Sequence, residues 1–396
     1  MSVQFQFTRN PSVKVHTEVQ VSGLVSADNN LVLIGTLAAT GSSAPINVPV
    51  ALNNFGDPVA ALAECTTLFG ANSQLTEMVI AAIKAVLYSD LPSKLFPPII
   101  CIPMVSSASA TELTALLAAN LSFPMPYVAL GFSANTTGVM AAIKAHITAI
   151  NANDRGDNGQ FGSFAFVATD SDTSVATPLG LAAATEGIVM PWLRDLQAQK
   201  ANKVHQVSAA IAAISAALGV PFNPANGVTV GGLVPPTVAA DYLTPGDAGS
   251  VALGLSAGLT PLVVSNGSVK ISRTITTKVT VTGIQDAAYY DMQDWQVLYY
   301  LRKQAYAVAQ QPRYRQAKAS IEKLQALKSE LIKVAKTMED LEMLQHVDLL
   351  TDQFTVARSQ TNRHAAIYVV PVNVIPGFHN KGIDLIGGTQ FDLVVA

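Results

Sequence analysis

Charged residues are scarce in this sequence. Only 13 % of the 396 residues are charged, with 24 basic against 27 acidic side chains and a net charge of −3, whereas 49 % are hydrophobic. This composition excludes a disordered chain. The charge balance gives no support for binding nucleic acid or a membrane surface. Because few charges are available to solvate a free subunit, we expect much of the surface to lie against other subunits.

Cysteine is also scarce, and long apolar stretches are missing. Cys65 and Cys101 are too few for a disulfide framework, so we expect synthesis in a reducing cytoplasm. No stretch of about 18 apolar residues without charges or helix breakers occurs, which predicts no membrane insertion. The opening residues, MSVQFQFTRN, lack a basic segment followed by an apolar core, and we expect no secretory signal.

The motifs of common enzyme chemistry are absent or incomplete. No phosphate-binding glycine loop or dinucleotide fingerprint occurs, and the six histidines lack ligand-like spacing, so we expect neither cofactor nor metal. Residues 254–258 read GLSAG and match the nucleophile elbow of α/β hydrolases, with Ser256 as the nucleophile. That elbow needs a strand before the serine and a helix after it, and Pro261 prevents such a helix. We expect no catalytic residue, and a hydrolase using Ser256 is the alternative from a different class.

The middle of the chain contains alternating strands and helices. The apolar strands PPIICIPMV, PYVALGFS and GSFAFVATD are separated by helical stretches, which is typical of a mainly parallel α/β sheet. Downstream, Asn266-Gly267 predicts a two-residue hairpin turn. A long helical region is expected from about residue 294 to 347, with a break near Pro312. Its second half carries an apolar stripe on one face, formed by Ile321, Leu324, Leu331, Met338, Leu341 and Leu344.

Both ends of the chain alternate with the period of a β-strand. The alternating residues are Val13, Val15, Thr17, Val19 and Val21 near the N-terminus, and Phe391, Leu393 and Val395 in the final FDLVVA. A terminal strand has unpaired edges, and it can pair within its own chain or with other copies. The glycine-punctuated segment before FDLVVA and the length of the N-terminal arm favour addition to a neighbour's sheet.

One segment, VKISRTITTKVTVTGIQDAAYYDMQDWQVLYYLR, has a distinctive order: a hydrophobic strand, Arg-x-x-Thr-Thr, Gly and Asp, an aromatic–Asp pair, and a helix ending in Leu-Arg. The residues at those places are Arg273, Thr276, Thr277, Gly283, Asp286, Tyr290, Asp291, Leu298 and Arg302. The segment resembles the core signature of contractile phage tail sheath proteins, especially their Mu-like branch. Residues 30–85 are similar to the family's early segment. Lys278 stands where the family has an aromatic residue, and the region 96–218 is shorter than in the larger relatives.

The resemblance implies an α/β fold in which an α+β core domain carries an inserted α/β domain, with extended β-strand arms at both ends. The implied divisions are an N-terminal arm at 1–25, a first part of the core at 26–95, an inserted outward-facing α/β domain at 96–265, a second part of the core at 266–380, and a C-terminal arm at 381–396. In such sheaths the arms of neighbouring subunits complete a small sheet in each core domain.

The resemblance also implies a function, that of a structural subunit which polymerises as stacked rings around an inner tail tube. Its partners would be further copies of itself, the tube protein, and baseplate and tail terminator proteins, with no direct contact to nucleic acid. Contraction would rotate rigid subunits about the arms and drive the tube through the host envelope without nucleotide hydrolysis. The subunit would assemble in the host cytoplasm and reside in the virion. The sheath of a bacteriocin or secretion-type injection machine is the alternative within this class.

A run of basic residues in the helical region offers a contact for the tube. Its members are Arg313, Arg315, Lys318, Lys323, Lys328 and Lys333. A helix of this charge would bind an oppositely charged tube through contacts that salt weakens and movement breaks. The alternative is a solvated helix face whose apolar stripe lies in the core.

Overall fold

The computed structural model describes most of the chain. The described residues are 2–7, 24, 28–92, 94–151, 161–281, 284–285, 290–316, 318, 320–358, 366–376, 383–386 and 392–395. Their strands are β1 (Ser2–Phe7), β2 (Leu31–Thr36), β3 (Val50–Ala51), β4 (Ile99–Met104), β5 (Tyr127–Leu130), β6 (Phe164–Phe166), β7 (Ile188–Trp192), β8 (Leu259–Ser265), β9 (Ser268–Ile271), β10 (Thr280–Val281), β11 (Ile284–Gln285), β12 (Thr355–Arg358), β13 (Ala366–Pro371), β14 (Ile383–Ile386) and β15 (Asp392–Val395).

The described residues also form eleven α-helices. They are α1 (Pro58–Phe69), α2 (Gln74–Leu87), α3 (Ala110–Ala119), α4 (Val139–Asn151), α5 (Thr173–Ala183), α6 (Val204–Leu218), α7 (Ala248–Ser256), α8 (Met292–Ala309), α9 (Pro312–Arg315), α10 (Ile321–Asp340) and α11 (Val347–Leu350). Serine caps start three of them, because the hydroxyls of Ser73, Ser109 and Ser320 accept hydrogen bonds from backbone N–H groups of the first turns of α2, α3 and α10. In the described part of the chain, no helix combines the length and the apolar character of a membrane span.

An eight-stranded mixed sheet forms the centre of the molecule. Its order is β3-β4-β2-β5-β6-β7-β8-β9, parallel from β4 to β8 and antiparallel at both ends. Residues 31–35 of β2 are all buried, because helices cover both faces of the sheet. The predicted α/β class with a mainly parallel sheet is confirmed.

Two layers of helices cover the sheet, one on each face. Along β2, Leu31 and Leu33 pack into the core formed with α1, α2 and α6, whereas Val32 and Ile34 pack into the core formed with α3, α4, α5 and α7. Helix α6 is alanine-rich and buried over most of its surface, so it fits closely between the sheet and α2. The alternation of side chains along a strand thus produces two separate cores.

Strand β2 pairs with strands from the other side of the division expected at residue 96. This strand belongs to the expected first part of the core at 26–95, yet it lies between β4 and β5 of the expected inserted domain. Leu31 is opposite both Ile99 and Tyr127. The strand is apolar on both faces, so burial requires helices above and below it and paired strands at both edges. The two stretches therefore share one sheet.

The predicted hairpin turn is confirmed between β8 and β9. Ser265 pairs with Ser268 in antiparallel register, and Asn266 and Gly267 connect them. Both turn residues have positive φ, 51° and 70°, which is the backbone geometry that an Asn-Gly turn supplies with little strain.

The second half of the helical region forms a third core with β13. Helix α8 ends at Ala309, α9 begins at Pro312 and α10 follows, so the predicted break near Pro312 is confirmed. The buried stripe of α10 consists of Leu327, Leu331, Ala335 and Met338. The expected stripe was too long, because Ile321 is 78 % exposed and Leu341 is 42 % exposed. Periodicity identified the face of the helix, whereas the contact with α8 covers only its later turns.

Candidate assembly interfaces

The first strand of the chain lies in a small antiparallel sheet of order β1-β13-β12. Ser2 is opposite Pro371 and Phe7 is opposite Ala366, while Thr355 is opposite Val369 on the other side of β13. In the described part of the chain, the outer edges of β1 and β12 pair with no further strand. Open edges are templates for strands of another chain. The arm residues Val13, Val15, Thr17, Val19 and Val21 lie outside the described residues.

The last strand of the chain forms a two-stranded sheet with β14. Leu393 is opposite Leu385, and Val395 is opposite Ile383. Phe391 lies outside the described residues. Two antiparallel strands alone are marginally stable in water, and stability normally needs a third strand or a packed helix. Within one copy, therefore, β15 is paired along one edge and this small sheet still has room for a further strand.

The basic residues expected to face a tube are distributed around the helical region. Arg313 of α9 binds Glu330 of α10 at 3.2 Å, and Arg315 lies at the end of α9. Lys318, Lys323 and Lys333 are exposed, whereas Lys328 is half-buried. Lys323, Lys328 and Lys333 are spaced five residues apart. Each step of five residues turns an α-helix by about 140°, so these three lysines do not share one face. A tube contact through all of them stays a prediction.

A bidentate ion pair joins the sheet to the start of α8. Nε and Nη2 of Arg273 donate to Oδ1 and Oδ2 of Asp291 at 2.8 and 2.7 Å. Asp291 is buried directly before α8, and the guanidinium lies 5.9 Å from the centre of the Tyr290 ring. Two parallel charge-assisted hydrogen bonds fix the orientation as well as the distance of the two groups.

The paired threonines, Thr276 and Thr277, add hydrogen bonds to this junction between the sheet and α8. The Thr277 hydroxyl accepts from the Thr185 N–H and donates to the Thr185 carbonyl, both at 3.1 Å, while the Thr277 N–H donates to the Ile188 carbonyl at 2.8 Å. The Thr276 N–H donates to the Tyr290 carbonyl at 2.8 Å. A Cβ at Gly258, where φ is +82°, would lie 2.8 Å from the Thr277 Cα. The segment is therefore held between β7, the end of α7 and the start of α8.

Lys278 occupies the place where the resemblance led us to expect an aromatic residue. Its ammonium group binds Glu186 at 3.1 Å and lies 5.7 Å from the centre of the Trp295 ring. A cation over an indole ring supplies an attraction that an aromatic side chain would otherwise supply by stacking. Lys278 therefore makes a direct contact between this segment and α8.

Arg302 adds a further contact from the middle of α8. Its Nη1 donates to the carbonyls of Asn151 and Phe161 at 3.4 and 3.2 Å, and its guanidinium lies 5.4 Å from the centre of the Tyr299 ring. Burial lowers the pKa of Arg302. The described residues of the signature therefore hold α8 against the sheet, and Gly283 and Asp286 lie outside the described residues.

Removing the Thr277 hydroxyl tests this junction. Thr277→Val keeps the side-chain shape but leaves the buried Thr185 N–H without its acceptor, and it removes one of two donors from the Thr185 carbonyl, which also accepts from the Ile188 N–H at 3.3 Å. We expect a loss of about 1–3 kcal/mol in the free energy of unfolding, measured by urea denaturation. The matched control is Thr337→Val, whose exposed hydroxyl binds the Lys333 carbonyl, and its loss should stay within about 0.5 kcal/mol. Equal losses for the two variants would contradict a structural role for the paired threonines.

The hydrolase alternative is wrong about the local structure of Ser256. This residue ends helix α7, and its hydroxyl donates to the Leu253 carbonyl at 2.8 Å. A helix precedes the serine and β8 follows it, which is the reverse of a nucleophile elbow. Gly254 serves packing instead, because a Cβ there would lie 2.6 Å from the Trp192 ring.

Known proteins resemble this chain in fold, not in sequence. No protein-family model and no curated protein matches the sequence. The sheath tail protein of Desulfitobacterium hafniense matches with a TM-score of 0.63 and 11 % identity, over 97 % of this chain and 99 % of that one. A sheath tail protein of Listeria innocua matches with a TM-score of 0.64 and 10 % identity, over 94 % and 95 %. A chain of the anti-feeding prophage baseplate matches at 0.60 and 10 %, over 97 % and 99 %.

The chain therefore has a contractile-sheath-like fold. The coverage is nearly complete in both directions, so the likeness extends over the central sheet and the C-terminal core together. At 10 to 11 % identity it establishes the fold alone.

Proposed function

We propose that this protein is the structural subunit of a contractile tail sheath, and that it performs no enzymatic reaction. The observation that carries the proposal is the match to two sheath tail proteins over at least 94 % of each chain. The low charge content fits a subunit whose surface is largely covered by its neighbours. The sheath would form stacked rings around an inner tube and would contract to drive that tube through a host envelope.

Strand exchange between subunits is the proposed link. The open edges of β1 and β12, and the two-stranded sheet of β14 and β15, support this link because each can accept or donate one more strand. Donor and acceptor surfaces differ, so the contact is heterologous and propagates from copy to copy. In this proposal the arms at 1–25 and 381–396 leave their own subunit in the assembled sheath and act as hinges.

Contraction by rotation of rigid subunits needs a body that does not bend. The junction of Arg273, Asp291, Thr277 and Arg302 supports this requirement, because it fixes α8 to the sheet at several separate points. The energy of contraction would come from new contacts between subunits. No nucleotide would be consumed.

The proposed partners are other copies of this chain, the inner tube protein, and baseplate and tail terminator proteins. The tube contact would use exposed lysines of the helical region, such as Lys333. A Mu-like phage tail, assembled in the host cytoplasm and present in the virion, is the first candidate. The similarity to a chain of the anti-feeding prophage baseplate favours a bacteriocin or secretion-type injection machine as the second. Neighbouring capsid and packaging genes would favour the phage.

Electron microscopy of the purified protein tests the proposal. At high protein concentration we expect tubes or stacked rings of regular diameter, because each subunit carries both halves of a heterologous contact. The inner tube protein need not be added, since the strand contacts lie between sheath subunits. Dispersed monomers at every concentration and salt condition would contradict the proposal.

A further inference from the structure

The two ends of α10 carry opposite charge. From Arg313 to Lys336 the sequence contains Arg313, Arg315, Lys318, Lys323, Lys328, Lys333 and Lys336 against Glu322 and Glu330. From Thr337 to Ala357 it contains Glu339, Asp340, Glu342, Asp348 and Asp352 and no lysine or arginine. In a chain with 13 % charged residues, this segregation within one structural unit is unusual.

The acidic end is unfavourable for the helix that carries it. The last turn of α10 contains Glu339 and Asp340 and no basic residue, although carboxylates are repelled by the negative end of the helix dipole. Lys336 binds Asp348 at 2.5 Å and relieves part of this repulsion. Glu342 and Asp352 are exposed, and their carboxylates make no hydrogen bond or ion pair within the described part of the chain. The isolated subunit gains nothing from these two charges.

The basic end has unpaired charges as well. Lys318 and Lys323 are exposed, and neither ammonium group has a hydrogen-bond or ion-pair partner within the described residues. The 20 residues of α10 span about 30 Å, so one copy cannot bring its own two ends together. Any pairing of these charges with each other therefore joins two copies.

An exposed aliphatic side chain accompanies each end. Ile321 opens α10 beside the lysines and is 78 % exposed, and Leu349 of α11 lies between Asp348 and Asp352 and is 77 % exposed. Helix α11 packs beside the last turn of α10, because Glu339 accepts a hydrogen bond from the Val347 N–H at 3.1 Å. Each end thus combines one exposed aliphatic side chain with an excess of charges of one sign.

We propose that the basic end of α10 (Lys318, Ile321, Lys323) in one copy docks on the acidic end (Glu342, Leu349, Asp352) of a second copy. The contact rests on the proposed sheath function and names a second interface beyond strand exchange. It is head-to-tail, so it repeats along a polymer, and charge complementarity sets its direction. Lys328 and Lys333, in the middle of the helix, stay free for a tube.

Paired charge reversals test the contact in the full chain. Lys318→Glu with Lys323→Glu makes both ends acidic, and Glu342→Lys with Asp352→Lys makes both ends basic. Each variant alone should raise the critical concentration for tube formation about tenfold or more, because attraction is replaced by repulsion. A one-to-one mixture should return it to within about twofold of the wild type. The control Lys144→Glu with Ala115→Glu and Ala118→Glu, at exposed positions of α3 and α4, lowers the net charge by the same four units as the lysine reversals and should have no effect beyond twofold.

Sedimentation velocity at low salt gives a readout that does not require tubes. The two reversed variants should associate when mixed and not when separate, and 0.5 M NaCl should weaken the association. If the wild type forms tubes but the mixture associates no better than either variant alone, this interface is wrong. If the mixture associates but the wild type forms no tubes, the interface is supported and the sheath function is wrong. Melting curves matching the wild type confirm that each variant is folded.

Discussion

Removal of residues 389–396 should abolish assembly while leaving a folded monomer. The deletion takes away β15, which pairs with β14. A strand of four residues that adds to a neighbour's sheet contributes several backbone hydrogen bonds, each with a net value of about 0.5–1.5 kcal/mol. We therefore expect the critical concentration, measured by sedimentation, to rise at least about a hundredfold.

Single substitutions distinguish the contribution of the backbone hydrogen bonds of β15 from that of its side chains. Leu393→Pro removes one N–H from the strand and should impair assembly nearly as strongly as the deletion. Leu393→Val is the matched control, because it keeps the backbone donor and an apolar side chain, and the β-branched valine is favourable in a strand. The melting temperature should change little in all three variants. Normal tubes from the truncated chain would contradict the proposed role of the C-terminal arm.

Asp291→Ala should be the most destabilising single substitution at the junction. It removes both acceptors of the Arg273 guanidinium and leaves a largely buried positive charge without its bidentate partner. Loss of one member of a buried ion pair costs about 3–5 kcal/mol in the free energy of unfolding. Urea denaturation should show a correspondingly lower midpoint.

The matched control is a second ion pair at the same helix. Lys303 of α8 binds Asp28 at 2.7 Å, but the Asp28 side chain is 45 % exposed whereas that of Asp291 is 6 % exposed. Asp28→Ala should therefore cost less than about 1 kcal/mol. If the two alanine variants lose the same stability, burial does not govern the strength of the junction.

Local periodicity was sufficient to predict much of the fold. The apolar strands between residues 96 and 170 could be assigned to a parallel sheet because helices cover both of its faces and leave no polar positions. The Asn266-Gly267 turn was predictable because its backbone geometry is encoded by two adjacent residues. These features depend on neighbours within a few positions in the sequence.

Contacts between distant parts of the chain could not be predicted in this way. Nothing near Thr277 in the sequence indicates that its hydroxyl binds Thr185, 92 positions away. The apolar character of β2 indicated burial but not its place between β4 and β5. The five-residue spacing of Lys323, Lys328 and Lys333 did show that they cannot share a helix face, and this arithmetic was available from the sequence alone.

The opposite charges of the two ends of α10 could also have been found in the sequence, as a block of basic residues followed by a block of acidic ones. The structure adds that the two blocks lie at opposite ends of one helix and that Ile321 and Leu349 are exposed beside them.

A cryo-electron microscopy map of the polymer formed by the purified protein tests the central claim most directly. The sheath proposal predicts that the small sheet of β12 and β13 in each subunit contains at least one strand from an adjacent copy, traced continuously into that copy's body. A map in which β1 stays on β13 and β15 stays on β14 of the same subunit, with no strand passing between copies, would contradict it.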